Sequence, residues 1–336
     1  MKKPLLEVRD LVMHFQVGSG SVHAVDGVSF DLQRGETMGV VGESGSGKTS
    51  LGYAMLRLLP ANGRILQGSI IFDGIDLVPL AEEDLRGLRW KRFAMIFQNA
   101  MSALNPVFRV GDQIVDAIRH HTGVTRSAAR ERAGALFELV GLSRARLRGY
   151  PHEFSGGMKQ RAMIALALSC GPDLVVADEP TTALDVVAQG QVLRQIKQLQ
   201  QELQLAMIFV SHDISVVAEI CRNVAVMYAG EFVEYGPTEQ LLTDPRHPYT
   251  MALLRSFPSV RGPLKTLLSV PGSPPDLVRP PSGCRFHPRC PFAQQICRDV
   301  SPGPTPTFDG GWARCHFTNE IRAQGRDAIE VLEKVQ

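Results

Sequence analysis

The chain has 336 residues, 44% of them hydrophobic and 21% charged, with a formal net charge of +2. That length and composition predict a folded globular protein of more than one structural unit. The near-balance of charge excludes a nucleic-acid partner held by phosphate neutralisation alone.

The N-terminus, Met1-Lys-Lys-Pro-Leu-Leu-Glu-Val-Arg-Asp10, has no apolar stretch of signal-peptide length. The most apolar run, Met163 to Ala177, is broken by Ser169, Gly171, Pro172 and Asp173, and nothing reaches the ~18 apolar residues of a membrane span. The chain is therefore expected to stay on the cytoplasmic side without crossing the bilayer.

Four short apolar runs each end at a polar or glycine-rich turn. Thr37–Val41 leads into Gly42-Glu-Ser-Gly, Phe93–Phe97 into Gln98, Leu174–Ala177 into Asp178-Glu179, and Ala206–Val210 into Ser211-His212. Runs of this kind between helical stretches predict parallel strands buried on both faces, with their polar ends along one crevice. A helical insert from about Val110 to Ser169 separates the second strand from the third. Within it Ala129, Ala133, Leu136, Leu139 and Val140 recur at helical spacing with arginines opposite. Val186–Leu203 reads as a plain amphipathic surface helix.

Gly42, Glu43, Ser44, Gly45, Ser46, Gly47, Lys48, Thr49 fits G-x-x-x-x-G-K-[ST]. The glycines let successive N–H groups curl around phosphate oxygens, and the helix that follows through Ser50 adds its positive dipole end. Lys48 supplies a cation to the β- and γ-phosphates and the Thr49 hydroxyl a ligand for Mg²⁺. Asp178, closing an apolar strand, suits Mg²⁺; Glu179 beside it suits activation of the attacking water. A bare Gly/Ser turn or a chance Asp-Glu pair lacks the strand-before, helix-after context found here.

Beyond Gly236-Pro237 prolines become dense, which predicts an irregular extension that must be stapled to a surface. Cys284, Cys290, Cys297 and Cys315 crowd into it, while Cys170 and Cys221 stand alone as expected buried thiols. A disulfide framework does not suit a cytosolic chain, so the four are read as a metal or cluster site. Four thiolates serve a [4Fe–4S] cluster or tetrahedral Zn²⁺, although the C-x2-4-C pairs common in zinc sites are missing. Four unliganded thiols are the remaining alternative, and His287 and His316 stand near enough in sequence to substitute as ligands.

Further residues narrow the NTPase class. Phe154-Ser-Gly-Gly-Met-Lys-Gln-Arg161 resembles the signature motif of ATP-binding-cassette (ABC) ATPases, and Thr181-Thr-Ala-Leu-Asp185 their D-loop. Gln98 resembles the Q-loop glutamine and His212 the switch histidine, all in the family's order over residues 5 to 240. Phe154 and Met158 replace the commoner Leu and Gln of the signature, and Asn99 follows Gln98 where an acidic residue is usual. Three tail segments, Arg246–Thr250, Val270–Leu277 and Pro281–Pro291, together with Met101–Pro106, are similar to the importer ATPases of the oligopeptide/dipeptide, nickel and opine group.

The resemblance implies an α/β fold: a P-loop NTPase (RecA-like) parallel-sheet core with an N-terminal antiparallel β part and an inserted helical subdomain at about 99–170. The nucleotide-binding domain would span 1–236 and the Cys/Pro-rich extension 237–336. It implies ATP and Mg²⁺ as ligands and tips the four-cysteine site toward a [4Fe–4S] cluster, with Zn²⁺ the alternative. Glu179, His212 and Gln98 would be catalytic. Ser155, Gly156, Gly157 and Asp185 would face the nucleotide held by a second cassette. Phe15 stands where the family places an adenine-stacking aromatic, although its pattern fits a core position equally. The implied partners are a second, related ATPase, two transmembrane permeases and an extracytoplasmic solute-binding protein. The location would be the cytoplasmic face of the inner membrane. A soluble, non-transport ABC ATPase is the rival reading; such proteins usually carry two cassettes or a long coiled coil.

Overall fold

The computed structural model describes residues 3–18, 20–98, 103–182, 184–256, 270, 272–307 and 310–324. Asn99 and Met101-Ser102 of the sequence reading lie outside them. The strands are β1 (Leu6–Val17), β2 (Gly20–Leu32), β3 (Thr37–Val41), β4 (Gly63–Phe72), β5 (Ile75–Asp76), β6 (Phe93–Ile96), β7 (Leu174–Asp178), β8 (Ala206–Ser211), β9 (Asn223–Tyr228), β10 (Glu231–Pro237), β11 (Thr305–Pro306) and β12 (Trp312–Ala313). The chain forms two compact units.

The first unit comprises Met1–Glu7, Asp31–Thr37 and Ile71–Val210. Its core is the parallel set β6-β7-β8, with Ala94 opposite Val175 and Val176 opposite Ile208. Every residue of these three strands is buried, which is the two-sided burial that unbroken apolar runs predict. The insert folds as the helices Val110–Thr122, Arg126–Leu139 and Gly156–Ala167. Thr125 caps the second of these by accepting the Ala128 N–H at 3.3 Å. Ala129, Ala133, Leu136 and Val140 are buried as the spacing predicts, Leu139 is only half-buried, and Phe137, which the spacing reading did not include, is buried as well. Val186–Leu203 is a helix over its whole expected length, burying Val192, Leu193, Ile196 and Leu199.

The second unit comprises Val8–Phe30, Met38–Ile70 and Ser211–Gln336. The proline-rich extension therefore shares a unit with the phosphate-loop segment. One sheet here has the order β2-β1-β4; the other has the order β11-β12-β10-β9-β3, in which β3 and β9 run parallel and β9 and β10 antiparallel.

The extension is less irregular than its prolines predict. Pro248 opens the helix Pro248–Arg255 at the one place where its missing N–H costs nothing. β12 pairs antiparallel with β10, Tyr235 opposite Trp312, and β11 pairs with β12. At two residues each, these strands were too short for periodicity to reveal, and Pro306 is tolerated on the outer one.

The staple is Glu234. Its buried carboxylate accepts the N–H groups of Arg246 (2.7 Å) and His247 (3.0 Å), and His247 Nδ1 accepts the Tyr249 N–H (3.1 Å) to cap the next helix. Burial pushes the Glu234 carboxyl up to about 7 and the His247 imidazole down to about 3. Cys221 is buried, as expected; Cys170 is only half-buried.

Candidate nucleotide-binding site and cysteine cavity

In the second unit, β3 runs into the phosphate loop and the helix Lys48–Met55. A Cβ on Gly42 would stand 2.1 Å from the Met227 carbonyl oxygen, and one on Gly47 2.1 Å from that of Ala24. Only glycine fits where the backbone is threaded this closely. The Ser46 N–H donates to the Glu43 carbonyl at 3.2 Å, and the Gly230 N–H donates to that of Ser46 at 2.9 Å. Lys48 is 5% exposed, and its ammonium donates to the carbonyls of Gly42 (2.9 Å) and Glu43 (2.7 Å). Its charge is thus held over the loop, while Ser44 and Gly45 lie exposed at the rim and Thr49 and Ser50 half-buried at the helix start.

Glu43 takes a different role from the phosphate ligand expected. Its N–H donates to the Tyr249 hydroxyl (2.8 Å), and its carboxylate accepts from Arg289 at 2.6 and 3.0 Å. The loop residues fit G-x-x-x-x-G-K-[ST] without indicating that partnership, because both partners lie more than 200 positions away. Phe15 is half-buried on β1 with its ring against Gly63. His212 is exposed just past β8, and Asp213 caps the helix Ile214–Ile220 by accepting the Ser215 N–H at 2.9 Å.

In the first unit, Asp178 ends β7 fully buried. Glu179 has φ 45°, a left-handed conformation uncommon for a residue with a side chain. Its N–H donates to the Val210 carbonyl at 2.9 Å. Its Oε2 accepts from Gln98 Nε2 (2.8 Å) and from the Thr182 hydroxyl (2.9 Å). Two residues 81 positions apart, singled out separately in the sequence, are thereby joined at one carboxylate oxygen. Thr182 was missed as a site residue although it stands inside the Thr181–Asp185 segment.

Ser155 caps the helix Gly156–Ala167, its hydroxyl accepting the Met158 N–H at 3.3 Å. A Cβ on Gly156 would meet nothing nearer than 3.4 Å, and one on Gly157 nothing nearer than 3.6 Å. These are ordinary contacts, so packing within the chain does not demand glycine at either position. Asp185 caps the helix Val186–Leu203 by accepting the Ala188 N–H at 2.8 Å. Beside it Val186 is 85% and Val187 70% exposed.

The four C-terminal cysteines, spread over 32 positions of sequence, line a single cavity with Phe286, Phe292 and Phe317. None is in a disulfide. Three of them share a Cys-x-Phe pattern unnoticed in the sequence: Cys284-Arg-Phe286, Cys290-Pro-Phe292 and Cys315-His-Phe317. At Cys315 the Phe317 N–H donates to the sulfur at 3.4 Å, and the Phe286 and Phe292 amides act on Cys284 and Cys290 in the direction that favours the thiolate. Burial pushes the Cys284 thiol up to about 11, Cys315 to about 12, and Cys290 upward as well. Four sulfurs in an apolar, amide-lined pocket fit a cationic metal group that stabilises thiolates. The His287 ring nitrogen Nδ1 is within 3.0 Å of the Cys284 carbonyl oxygen, and His316 Nε2 within 2.9 Å of that of Val300, so both rings have local partners.

Among the described residues, one group has its ligand atoms gathered within 4.8 Å: His14, His23 and Asp26. Asp26 Oδ2 already faces His23 Nδ1 at 3.1 Å and accepts from Arg285, whose fixed charge opposes a cation there. Burial lowers the His14 pKa.

Residues 25–182 match the family model described as ABC transporter, and residues 233–297 the one described as oligopeptide/dipeptide transporter, C-terminal region. The oligopeptide transport ATP-binding protein OppD of Salmonella typhimurium is 46% identical over 315 residues, covering 93% of each chain. The dipeptide transport ATP-binding protein DppD of Bacillus subtilis is 43% identical, covering 94% of this chain and 95% of its own. The chain belongs to the oligopeptide/dipeptide family of ABC transporter ATP-binding proteins. A dimeric, post-hydrolysis structure of the ATP-binding cassette MJ0796 bound to ADP and Pi superposes with a TM-score of 0.63. At 24% identity it covers 69% of this chain and 98% of that one, and it establishes the cassette fold.

As an ABC ATPase the protein uses ATP and Mg²⁺ and hydrolyses ATP coupled to transport. No helix among the described residues is long and apolar enough to cross a membrane. Membership of a peptide importer ATPase family implies permease partners.

Proposed function

We propose that this ABC ATPase energises an importer of peptides or related small solutes from the cytoplasmic face of the inner membrane. It would pair with a second, related ATPase subunit and two permeases, with an extracytoplasmic binding protein delivering the solute. The observation that carries this reading is similarity to OppD and DppD over more than nine-tenths of the chain, the cysteine-bearing extension included. A peptide-loaded binding protein should stimulate ATP hydrolysis several-fold when this subunit is reconstituted with its permeases in vesicles. Hydrolysis indifferent to every peptide would sink the peptide assignment.

Lys48 would bind the β- and γ-phosphates, and Thr49 and Asp178 would be the Mg²⁺ ligands, the ion's chemistry being to neutralise phosphate charge. Gly42, Ser44, Gly45, Ser46, Gly47 and Ser50 supply N–H and hydroxyl donors, and Phe15 stacks on the base. Glu179 takes a proton from the attacking water, Gln98 and Thr182 hold its carboxylate, and His212 meets the γ-phosphate. Ser155, Gly156, Gly157 and Asp185 act on the nucleotide of the second cassette. The spare room at the two glycines and the exposed Val186 and Val187 support an approach by that partner.

The four cysteines would hold a [4Fe–4S] cluster, whose chemistry is to bind four thiolates and so cross-link the extension. Zinc is the poorer candidate: a lone ion with bonds of about 2.3 Å draws four sulfurs to about 3.8 Å of one another. Among the described residues no three of these sulfurs lie within 4.8 Å of one another. Protein purified without oxygen should carry about four irons per chain and absorb visible light. Zinc in place of iron, or neither, would refute the cluster.

A further inference from the structure

Three tail segments took no part in the mechanism above, and all three converge on the phosphate loop. From Arg246–Thr250, the fully buried Tyr249 accepts the Glu43 N–H at 2.8 Å. From Val270–Leu277, the carbonyls of Val270 and Gly272 accept from Arg289 at 3.2 and 3.3 Å, and Pro274 and Pro275 wall a small cavity with Glu43, Ser44, Gly45 and Ser46. From Pro281–Pro291, Arg289 itself grips the Glu43 carboxylate with two nitrogens while its side chain is only 5% exposed. Arg289 stands one position before Cys290, on the turn His287–Arg289. The Tyr249 and Tyr228 rings pack on Phe286, two residues after Cys284, at centroid distances of 5.4 and 5.2 Å.

A bidentate guanidinium–carboxylate pair fixes orientation as well as distance. Here it fixes the second residue of the loop whose N–H groups and lysine must cradle a triphosphate. Two of the atoms that bond Lys48, the carbonyls of Gly42 and Glu43, belong to this same stretch. We propose that Arg289 and Tyr249 are positioning residues for the phosphate loop, through which the cysteine-bearing segment sets the affinity for nucleotide. Neither touches the reacting atoms; both act through Glu43.

The test is steady-state ATPase kinetics and fluorescent-ATP titration on the full chain. Arg289→Ala should raise KM and Kd about tenfold, the worth of one lost charge-assisted contact, with kcat within threefold of wild type. Arg289→Lys should recover part of that loss. Glu43→Gln combined with Arg289→Ala should be no worse than Arg289→Ala alone, because the two side chains act as one pair. Unchanged KM in Arg289→Ala would overturn the proposal, as would a fall in kcat or melting temperature with KM untouched. Should Arg289→Ala fail to fold, Tyr249→Phe removes a single oxygen and keeps the ring; wild-type KM and Kd in that variant would likewise overturn it. Iron content is measured on the same samples. A KM shift in iron-free protein leaves the positioning role standing and removes only the cluster.

Discussion

Replacing Glu179 with glutamine is expected to slow ATP hydrolysis by about 10²–10⁴-fold, the usual worth of a positioned general base, while ATP still binds. The substitution is nearly isosteric. A glutamine carbonyl oxygen can accept the same hydrogen bonds that Gln98 Nε2 and the Thr182 hydroxyl give to Glu179 Oε2, so the side chain should stay in place without its basicity. The bond from the Glu179 N–H to the Val210 carbonyl, made by the backbone at φ 45°, does not use the side chain and is open to glutamine as well. With binding intact and hydrolysis blocked, the ATP-bound pair of cassettes should accumulate. Single-turnover kinetics together with ATP-dependent dimerisation by size-exclusion chromatography measures both. A variant that hydrolyses ATP at the wild-type rate would remove Glu179 from the mechanism.

Lys48→Ala is expected to fail a step earlier, with ATP affinity reduced by roughly 100-fold or more, since two charged contacts at ~1.5–3 kcal/mol each are lost. Burial makes the expectation strong: an ammonium 5% exposed has already left most of its water, and loop carbonyls hold it in position for an anion. Lys48→Arg should not rescue binding. A planar guanidinium is too large for a space closed by the Gly42 and Glu43 carbonyls and the Ser46 hydroxyl, 3.4 Å away. Equilibrium titration with a fluorescent ATP analogue reads the loss directly. Affinity within threefold of wild type would contradict the assigned contact.

The two variants separate binding from chemistry, and the sequence foreshadowed both residues. Local chemistry is the reason: the phosphate loop is a contiguous stretch, and so is each of the polar strand ends. Strands β3, β6, β7 and β8 were likewise legible, because strands buried on both faces admit almost nothing but apolar residues. The helix Val186–Leu203 was readable from its period alone.

Partnerships across long separations were not legible. That Glu43 answers to Arg289 and Tyr249, that Thr182 joins Gln98 on Glu179, and that three Cys-x-Phe turns aim their amides at one cavity all depend on how distant segments come together. The sequence by itself determined which groups could bind phosphate, metal and water, since that chemistry is written in residue type over a few consecutive positions. The tertiary structure alone decided which groups hold those in place, because a hydrogen bond between residues 246 positions apart leaves no periodic trace in either segment.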